Sequence, residues 1–369
     1  MGANDTDFMR IALRLARRGL GRAWPNPSVG AVIVQESSGE IVGRGWTQPG
    51  GRPHAEVVAL EEAQGRAQGA TLYVTLEPCA HHGQTPPCAD AIIAAGVRRV
   101  ICAIEDPDPR VRSAGLRRLT EAGIEVATGT LGDEAHRTAQ GHILRITLRR
   151  PFVQLKLAVG SDGRMAPGDG APVWVTGEAA RAQAHMLRAR ADAILVGRGT
   201  VAADNPSLTC RLPGMAAWSP VRIVLDSALR TPETAKLLSE SDLAPTWLVC
   251  GEGAPQDRQA ALEGQGGTVL RAPADAGGTL DLGSVLAQLA ERGITRLMVE
   301  GGPSVARAFL DADLVDEAVL FVGHAPAGST GLMPFVSEGL DRLRNSRHFT
   351  CLDRRDVGQD RRFTYRRME

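Results

Sequence analysis

The chain has 369 residues, which is long enough for two domains that each bury a substantial core. Its 42 lysines and arginines match its 42 aspartates and glutamates, and this balance disfavours a nucleic-acid-binding surface as the main function. Six cysteines without disulfide-framework spacing predict a reducing, cytoplasmic location, and no stretch has the length and apolar composition of a membrane span.

The first 148 residues are predicted to form a three-layer α/β domain, because helices and strands alternate along them. An amphipathic helix opens the region, with Phe8, Ile11 and Leu15 at helical spacing and arginines on the other side. The two early aspartates and the interrupted apolar run argue against a targeting peptide. Strands are predicted at 29–34, 40–46, 71–76, 97–104 and 124–127, and further helices from Pro53 onward, at 88–95 and at 113–122.

The stretch from His54 to Cys88 carries the strongest chemical signal. It reads P-H-A-E-V and then L-Y-V-T-L-E-P-C-A-H-H-G-Q-T-P-P-C, which supplies one imidazole (His54) and two thiols (Cys79 and Cys88). Three such ligands suit a catalytic zinc, because the fourth position must stay open for water. The alternatives are a structural zinc, which normally has four protein ligands, or two buried free thiols.

Glu56 is the group left to act as acid and base on that water. We expect His54 and Glu56 in the first turn of the helix that begins at Pro53, where both can reach a group beyond its end. We expect Cys88 at the start of a second helix, whose positive end favours thiolate. The combination of H-x-E with P-C and a second cysteine marks zinc-dependent deaminases of amino-substituted rings.

Asn26 lies between two prolines just before the first strand. In that position an asparagine commonly stabilises the bend. A hydrogen bond to a substrate is the rival role, and the sequence leaves both open.

The segment Leu148–Pro151 is predicted to join the first domain, residues 1–148, to a second, residues 149–369. The second region has its own alternation of strands and helices. Strands are predicted at 152–159, 193–197, 221–226, 246–250, 267–271, 296–300, 316–322 and 361–366, and helices at 177–190, 282–292 and 303–311.

Two glycine motifs in this second region bear on cofactor binding. Gly197, Gly199 and Ala202 match the dinucleotide fingerprint G-x-G-x-x-A, but two prolines and a weak helical period follow, so we expect no Rossmann helix there. In V-E-G-G-P-S, Gly301 and Gly302 separate a predicted strand from a helix start, and free amides at such a start can hold a phosphate. The alternative is a tight turn without a ligand, which Gly-Gly-Pro often forms.

Taken together, H-A-E-V, V-T-L-E-P-C-A-H-H-G-Q-T-P-P-C, D-A-I-L-V-G-x-x-T-V-x-x-D-N-P-S-L-T, R-I-V-L-D-S and V-E-G-G-P-S closely resemble the family of bifunctional riboflavin-biosynthesis deaminase–reductases. The match spans nearly the whole chain in that family's domain order. The resemblance implies a cytidine-deaminase-like first domain and a dihydrofolate-reductase-like α/β second domain. It implies zinc-dependent deamination of a diaminopyrimidinone ribosylamino phosphate, followed by NADPH-dependent reduction of the ribosyl group to ribityl.

By this resemblance, His54, Cys79 and Cys88 hold the zinc and Glu56 moves protons. Positions that match the family's cofactor contacts are Ala158, Trp174, Thr200, Asp204, Ser227, Gly302, Pro303 and Ser304. Positions that match its substrate contacts are Arg188, Leu208, Arg211 and Glu300, with Asn26 as a further candidate. Arg188 and Arg211 are suitable partners for a phosphate; Arg188 as a solvated residue, and Leu208 and Trp174 as packing residues, are the simpler alternatives.

The chain departs from the family pattern in three places. Gln84 stands where a basic residue is common, Pro172 stands where a polar substrate contact is usual, and the segment 323–335 is unusual. We expect a phosphorylated small-molecule substrate, a homo-oligomer, and no nucleic-acid or membrane partner. A nucleic-acid base deaminase with an accessory domain is the alternative, but it would predict C-x-x-C and a basic face.

Overall fold

The computed structural model describes residues 4–109, 112–166, 174–333, 343 and 348–368. The chain forms two compact units. One comprises the residues up to Pro151 together with Ala290–Thr295, and the other comprises Phe152–Leu289 and the chain from Arg296 onward. Within the described ranges, no helix is both long and apolar enough to cross a bilayer.

The first unit is built on a mixed five-stranded sheet with strand order β2-β1-β3-β4-β5. The strand β1 pairs antiparallel with β2 and β3, and the remaining pairs are parallel. The strands are β1 Gly30–Gln35, β2 Glu40–Trp46, β3 Thr71–Val74, β4 Arg99–Cys102 and β5 Glu125–Thr128. The helices are α1 Asp5–Ala16, α2 Ala55–Ala63, α3 Cys88–Ala94, α4 Ala114–Glu121 and α5 Gly132–Thr147.

Helices cover both faces of this sheet, so the unit has the predicted three layers. A side chain at Gly30 would collide with the α1 backbone, whereas side chains at Gly43 and Gly45 would collide with the α2 backbone at Ala59 and Ala55. Paired residues share a face of a sheet, and Ala31 pairs with Gly45, so α1 and α2 lie on opposite faces. Glycine in β2 therefore permits a backbone approach that fixes where α2 begins.

The second unit has a nine-stranded sheet with strand order β10-β9-β8-β7-β11-β6-β12-β14-β13. Seven strands run parallel from β10 to β12, and β14 and β13 add an antiparallel edge. The strands are β6 Phe152–Val159, β7 Ala193–Gly197, β8 Val221–Leu225, β9 Thr246–Gly251, β10 Gly267–Ala272, β11 Arg296–Val299, β12 Glu317–Val322, β13 Phe349–Val357 and β14 Asp360–Arg367. The helices after Phe152 are α6 Glu178–Ala189, α7 Arg198–Asp204, α8 Lys236–Ser239, α9 Gln256–Gly264, α10 Leu282–Glu291 and α11 Pro303–Asp311.

A helix of seven residues does follow Gly197, despite the two prolines and the weak helical period of the sequence there. The helix α7 forms there and ends at Asn205, which adopts a left-handed conformation with φ 39°, so the proline at 206 lies beyond the helix and does not interrupt it. The helices α5, α8 and α9 and the strand β13 were also not predicted from the sequence. Two of these, α5 and β13, have a visible reason. The buried positions of α5 are alanine, threonine, glycine and histidine, and β13 is an edge strand with mostly exposed side chains, so neither shows an apolar period.

We predict that Gly45→Ala destabilises the first unit, because the new methyl group would collide with the Ala55 carbonyl of α2. Overpacking of this kind costs about 1–3 kcal/mol of unfolding free energy. Urea unfolding followed by circular dichroism measures the loss. Gly132→Ala, in the first turn of α5 with its nearest neighbouring atom 3.6 Å from the added carbon, is the control and should change stability by less than about 1 kcal/mol.

Candidate active sites

The start of α2 positions the first group of predicted residues. His54 is the N-cap of this helix, with extended backbone angles, and Glu56 lies in the first turn. The Glu56 carboxyl group is buried, with 3% of the residue exposed. Glu56 therefore lies in the first turn, as expected, whereas the expected start of the helix at Pro53 is wrong: α2 begins at Ala55, and His54 caps it instead of lying in its first turn.

The two thiols come from neighbouring elements. Cys79 follows β3, and Cys88 is the first residue of α3, after the N-cap Pro87. The backbone N–H of Cys88 donates to Cys79 Sγ at 3.3 Å, and the N–H of Ala89 donates to the Cys79 carbonyl at 3.1 Å. The N-terminus of α3 thus holds the Cys79 turn in place.

His54, Cys79 and Cys88 converge, with all three ligand atoms within 4.8 Å of one another. His54 Nδ1 lies 3.3 Å from Cys88 Sγ and 3.7 Å from Cys79 Sγ. Tetrahedral zinc with ordinary Zn–N and Zn–S bond lengths would hold nitrogen and sulfur about 3.5 Å apart. The spacing and the donor set therefore fit zinc with three protein ligands.

The electrostatics of this cluster favour a thiolate at Cys79 and a protonated carboxyl group at Glu56. The pKa of Cys79 is lowered to about 4, first by the hydrogen bond with the Cys88 thiol and then by those from His54 and the Cys88 amide, which together outweigh burial. The pKa of Cys88 is raised, because its proton is shared with Cys79 and because it is buried. Burial raises the pKa of Glu56 to about 7, and the Cys79 charge adds to the shift while His54 opposes it.

Asn26 lies behind the His54 ring. Its amide nitrogen donates to the Gly51 carbonyl at 2.9 Å and lies 3.3 Å from His54 Nε2, the ring nitrogen that faces away from the thiols. Groups behind a metal-binding histidine orient its ring. Asn26 thus lies beside a predicted zinc ligand. Neither role considered from the sequence, stabilising the bend or bonding to a substrate, had included this contact.

Glu77 was missed by the sequence reasoning. Its buried carboxylate accepts the backbone N–H groups of Asp106, Ser113 and Gly115, at 3.2, 3.0 and 2.9 Å. It therefore fixes the loop before α4 against the turn that carries Cys79. Its place in E-P-C, two residues before a ligand, was the available signal.

A cavity of about 730 Å³ in the second unit gathers most of the other predicted residues. Its wall includes the ends of β6, β7 and β11 and the starts of α7 and α11. The predicted residues in the wall are Ala158, Trp174, Thr200, Asp204, Gly302, Pro303, Ser304, Arg188, Arg211 and Glu300.

Two predicted residues lie outside this wall. Leu208 is buried in the hydrophobic core with Ile194 and Val224, and its backbone has a φ of 56°. Ser227 is an exposed residue after β8, and its carbonyl accepts the Gly251 amide at 3.0 Å. The side chain of Leu208 therefore packs in the core, while the substrate contact of Leu208 and the cofactor contact of Ser227 stay predictions.

Glu300 is clamped between two cations in the cavity wall. Its carboxylate accepts from Lys156 Nζ at 2.9 Å and from Arg188 Nε at 3.0 Å. Burial alone would raise the pKa of Glu300, but Arg188 and Lys156 together lower it to about 2. Lys156 was missed by the sequence reasoning, although it lies two residues before Ala158 in β6 and therefore points to the same face of the sheet.

The other polar groups of the wall are arranged around this clamp. His185 Nδ1 accepts the Arg211 backbone N–H at 3.3 Å, and burial followed by the charges of Arg188 and Arg211 lowers the pKa of His185 to about 4. Trp174 is 65% exposed, and the Arg181 guanidinium lies 4.8 Å from its ring centroid. The wall thus combines cations, a neutral imidazole and an open aromatic face.

Comparison with known proteins decides the family. Residues 151–360 match the model of the RibD C-terminal domain, and residues 3–104 match the cytidine and deoxycytidylate deaminase zinc-binding region. The chain is 42% identical to the riboflavin biosynthesis protein RibD of Bacillus amyloliquefaciens over 97% of this chain and 95% of that protein. It is 40% identical to RibD of Escherichia coli K12 over 96% and 97%.

The chain belongs to the RibD family.

Solved structures agree with this assignment over the full length. RibD of Acinetobacter baumannii is similar with a TM-score of 0.86, 35% identity and 99% coverage of both chains. A Thermotoga maritima protein, named a diaminohydroxyphosphoribosylaminopyrimidine deaminase/5-amino-6-(5-phosphoribosylamino)uracil reductase, is similar with a TM-score of 0.82, 34% identity and the same coverage. As a RibD protein, the chain is a bifunctional enzyme of riboflavin biosynthesis with a zinc-dependent deaminase and an NADPH-dependent reductase.

The departures from the RibD pattern are partly visible. Gln84 is exposed, and beside it Arg52 Nη1 donates to Thr85 Oγ1 at 2.6 Å. Within the segment 323–335, the amides of Ala327 and Gly328 donate to Asp162 at 3.1 and 3.0 Å. Pro172 and the last two residues of that segment lie outside the described residues.

We predict that Cys88→Ser weakens zinc binding more than about 100-fold, because a neutral hydroxyl replaces a thiolate. Elemental analysis after dialysis, with chelator competition, should find about one zinc per chain in the wild type and little in the variant. Cys102→Ser is the control, since Cys102 donates to the Ile104 carbonyl and serine can do the same. Full zinc content in Cys88→Ser would refute the ligand assignment.

We predict that Glu300→Gln lowers the free energy of unfolding at pH 7 by about 3 kcal/mol, because it leaves two cations without their carboxylate. The pKa of Glu300 is lower in the folded protein, so its stabilisation is present above pH 4.5 and declines as the pH falls towards 2. Urea unfolding of both proteins at pH 7 and pH 3 measures the difference, which should shrink at the lower pH. Asp353→Asn removes a more exposed ion pair with Arg355 and should cost less than about 1 kcal/mol at pH 7.

Proposed function

We propose that residues 1–148 hydrolyse an amino group from 2,5-diamino-6-(5-phosphoribosylamino)pyrimidin-4(3H)-one, and that residues 149–369 reduce the ribosyl group of the product to ribityl. The observation that carries this proposal is the three-ligand cluster beside a buried carboxylate, in one chain with a cation-rich cavity. The substrate class agrees with the name of the similar Thermotoga maritima protein.

In the proposed deaminase site, Glu56 manages the protons. Zinc held by His54, Cys79 and Cys88 would lower the pKa of a coordinated water and so supply the nucleophile. Hydrolysis forms a bond between a ring carbon and the water oxygen, breaks the bond from that carbon to its exocyclic amino nitrogen, and releases ammonia. One proton must therefore leave the water and one must reach the amine. A carboxyl group with a pKa of about 7 can accept the first proton and donate the second.

The cluster also explains why Glu56 is not a fourth ligand in this proposal. The group of possible metal ligands whose atoms lie within 4.8 Å of one another contains His54, Cys79 and Cys88 but not Glu56. In this proposal the carboxyl group therefore remains free to exchange protons.

In the proposed reductase site, different residues of the cavity wall bind the substrate phosphate and donate the proton. NADPH supplies the hydride. Arg188 is already engaged by Glu300 and by the Thr209 carbonyl at 3.1 Å, which leaves the Arg211 guanidinium as the better partner for the substrate phosphate. Hydride addition to the sugar carbon that bears the amine also breaks that carbon's bond to the ring oxygen, so this oxygen must gain one proton. Lys156, oriented by Glu300, is the ammonium group in the wall that can provide it.

We further propose a cytoplasmic homo-oligomer without nucleic-acid or membrane partners. Unpaired, buried thiols at Cys102, Cys210 and Cys250 suit a reducing compartment. The balanced charge gives no support to a nucleic-acid surface. The edge strand β13, with its exposed side chains, offers backbone groups for self-association.

We predict that Glu56→Gln keeps its zinc but loses deamination by about 10²- to 10⁴-fold, because the amide cannot carry the proton. The variant should still reduce the deaminated intermediate with NADPH at the wild-type rate, since hydride transfer needs no metal. Mass spectrometry of products, from the diaminopyrimidinone and separately from its deaminated form, checks both parts.

The matched control is Glu62→Gln on the solvent side of the same helix, where the carboxylate pairs with Arg44 at 2.7 Å. It should retain both activities. Deamination by Glu56→Gln at close to the wild-type rate would show that another group moves the proton.

A further inference from the structure

Two guanidinium groups in the wall of the reductase cavity have no partner among the residues described. Lys156 and Arg188 are bound to Glu300, and Arg181 donates to the Thr176 carbonyl at 2.7 Å. Among the residues that the structure describes, the guanidinium groups of Arg198 and Arg211 make no hydrogen bond or ion pair, although both line the cavity. Unpaired cations in the wall of a ligand cavity suit anionic ligands.

Arg198 lies where two strand–helix turns meet. It is the first residue of α7, directly after β7, and β7 pairs in parallel with β11, which leads to α11. The turns are in contact: a side chain at Gly197 would meet Val305 at 2.8 Å, and one at Gly302 would lie 3.8 Å from Thr200 Oγ1. Arg198 therefore lies beside the glycine turn at the start of α11.

Arg211 belongs to a different part of the wall. Its backbone N–H bonds to His185 of α6, one turn from Arg188 and the Glu300 clamp. The two unpaired cations are thus attached to different elements. The substrate carries one phosphate group, which we have assigned to Arg211.

NADPH differs from NADH by one further phosphate group. The pyrophosphate, which both dinucleotides share, can be bound by the free amides at the start of α11, and these do not discriminate between them. The 2′-phosphate of NADPH is doubly charged, and an arginine can bind it with two parallel hydrogen bonds. Arginine near a dinucleotide turn is a known means of accommodating this phosphate.

We propose that Arg198 binds the 2′-phosphate of the cofactor and thereby makes the reductase prefer NADPH over NADH. This gives a role to G-R-G-T-V-A, the motif whose glycines resembled a dinucleotide fingerprint without a Rossmann unit. The inference rests on the proposed placement of the cofactor in this cavity.

Isothermal titration of the full-length protein with NADP⁺ and with NAD⁺ tests the proposal without turnover. Arg198→Gln should raise the dissociation constant for NADP⁺ about 10- to 100-fold and leave that for NAD⁺ within about twofold. Arg198→Lys, which keeps the charge without the planar fork, should give an intermediate value. The wild-type preference for NADP⁺ should also decrease as salt is raised.

Two further variants separate this inference from the placement of the cofactor. Gly302→Asp supplies a favourable N-cap for α11 but sets a negative charge against the shared pyrophosphate, so it should weaken both dinucleotides. Arg211→Gln should weaken binding of the deaminated intermediate and leave the NADP⁺ to NAD⁺ ratio unchanged.

The outcomes are distinct. If Arg198→Gln weakens both dinucleotides equally, or neither, Arg198 does not bind the 2′-phosphate and the proposal is wrong. If Arg211→Gln removes the preference, Arg211 has that role instead. If Gly302→Asp binds both dinucleotides normally, the cofactor lies elsewhere, and both the placement and the inference fail.

Discussion

The approach of α2 to the glycines of β2 is the constraint on which the deaminase site depends. The helix can lie against the strand only because Gly43 and Gly45 lack side chains. That contact fixes the first turn of α2, and the first turn carries His54 and Glu56. The two thiols are held on the other side by the turn after β3 and the start of α3. A zinc site with one open position thus follows from backbone packing as much as from its ligands.

Two carboxyl groups with little solvent exposure show how the surroundings determine the chemistry of each. Glu56 is buried without a basic side chain bonded to it, and its pKa rises to about 7. Glu300 is partly buried, with 16% of its side chain exposed, but Lys156 and Arg188 lower its pKa to about 2. The first can therefore exchange protons near neutral pH, whereas the second remains an anion that orients cations. Different surroundings thus give two glutamates different pKa values, and the two residues can therefore have different roles in one protein.

Sequence alone was sufficient where a residue type has few uses. The convergence of His54, Cys79 and Cys88, the presence of α2 and most strands could be predicted, because His-x-Glu, paired cysteines and apolar strands each have a narrow physical meaning. Lys156 and Glu77 could not, because a single lysine or glutamate usually faces solvent and only the fold shows what it contacts. The helix α5 and the strand β13 were missed because small or exposed residues replace the apolar periods that reveal such elements.

The open face of Trp174 has a thermodynamic consequence. Most of this indole is in contact with water at the wall of a cavity, held beneath the Arg181 guanidinium. Apolar surface that a ligand covers releases its hydration shell, and the heat capacity of the system then falls. If the cofactor covers this ring, its binding should become more exothermic with rising temperature. Removal of the exposed indole surface from water would then contribute part of the binding free energy.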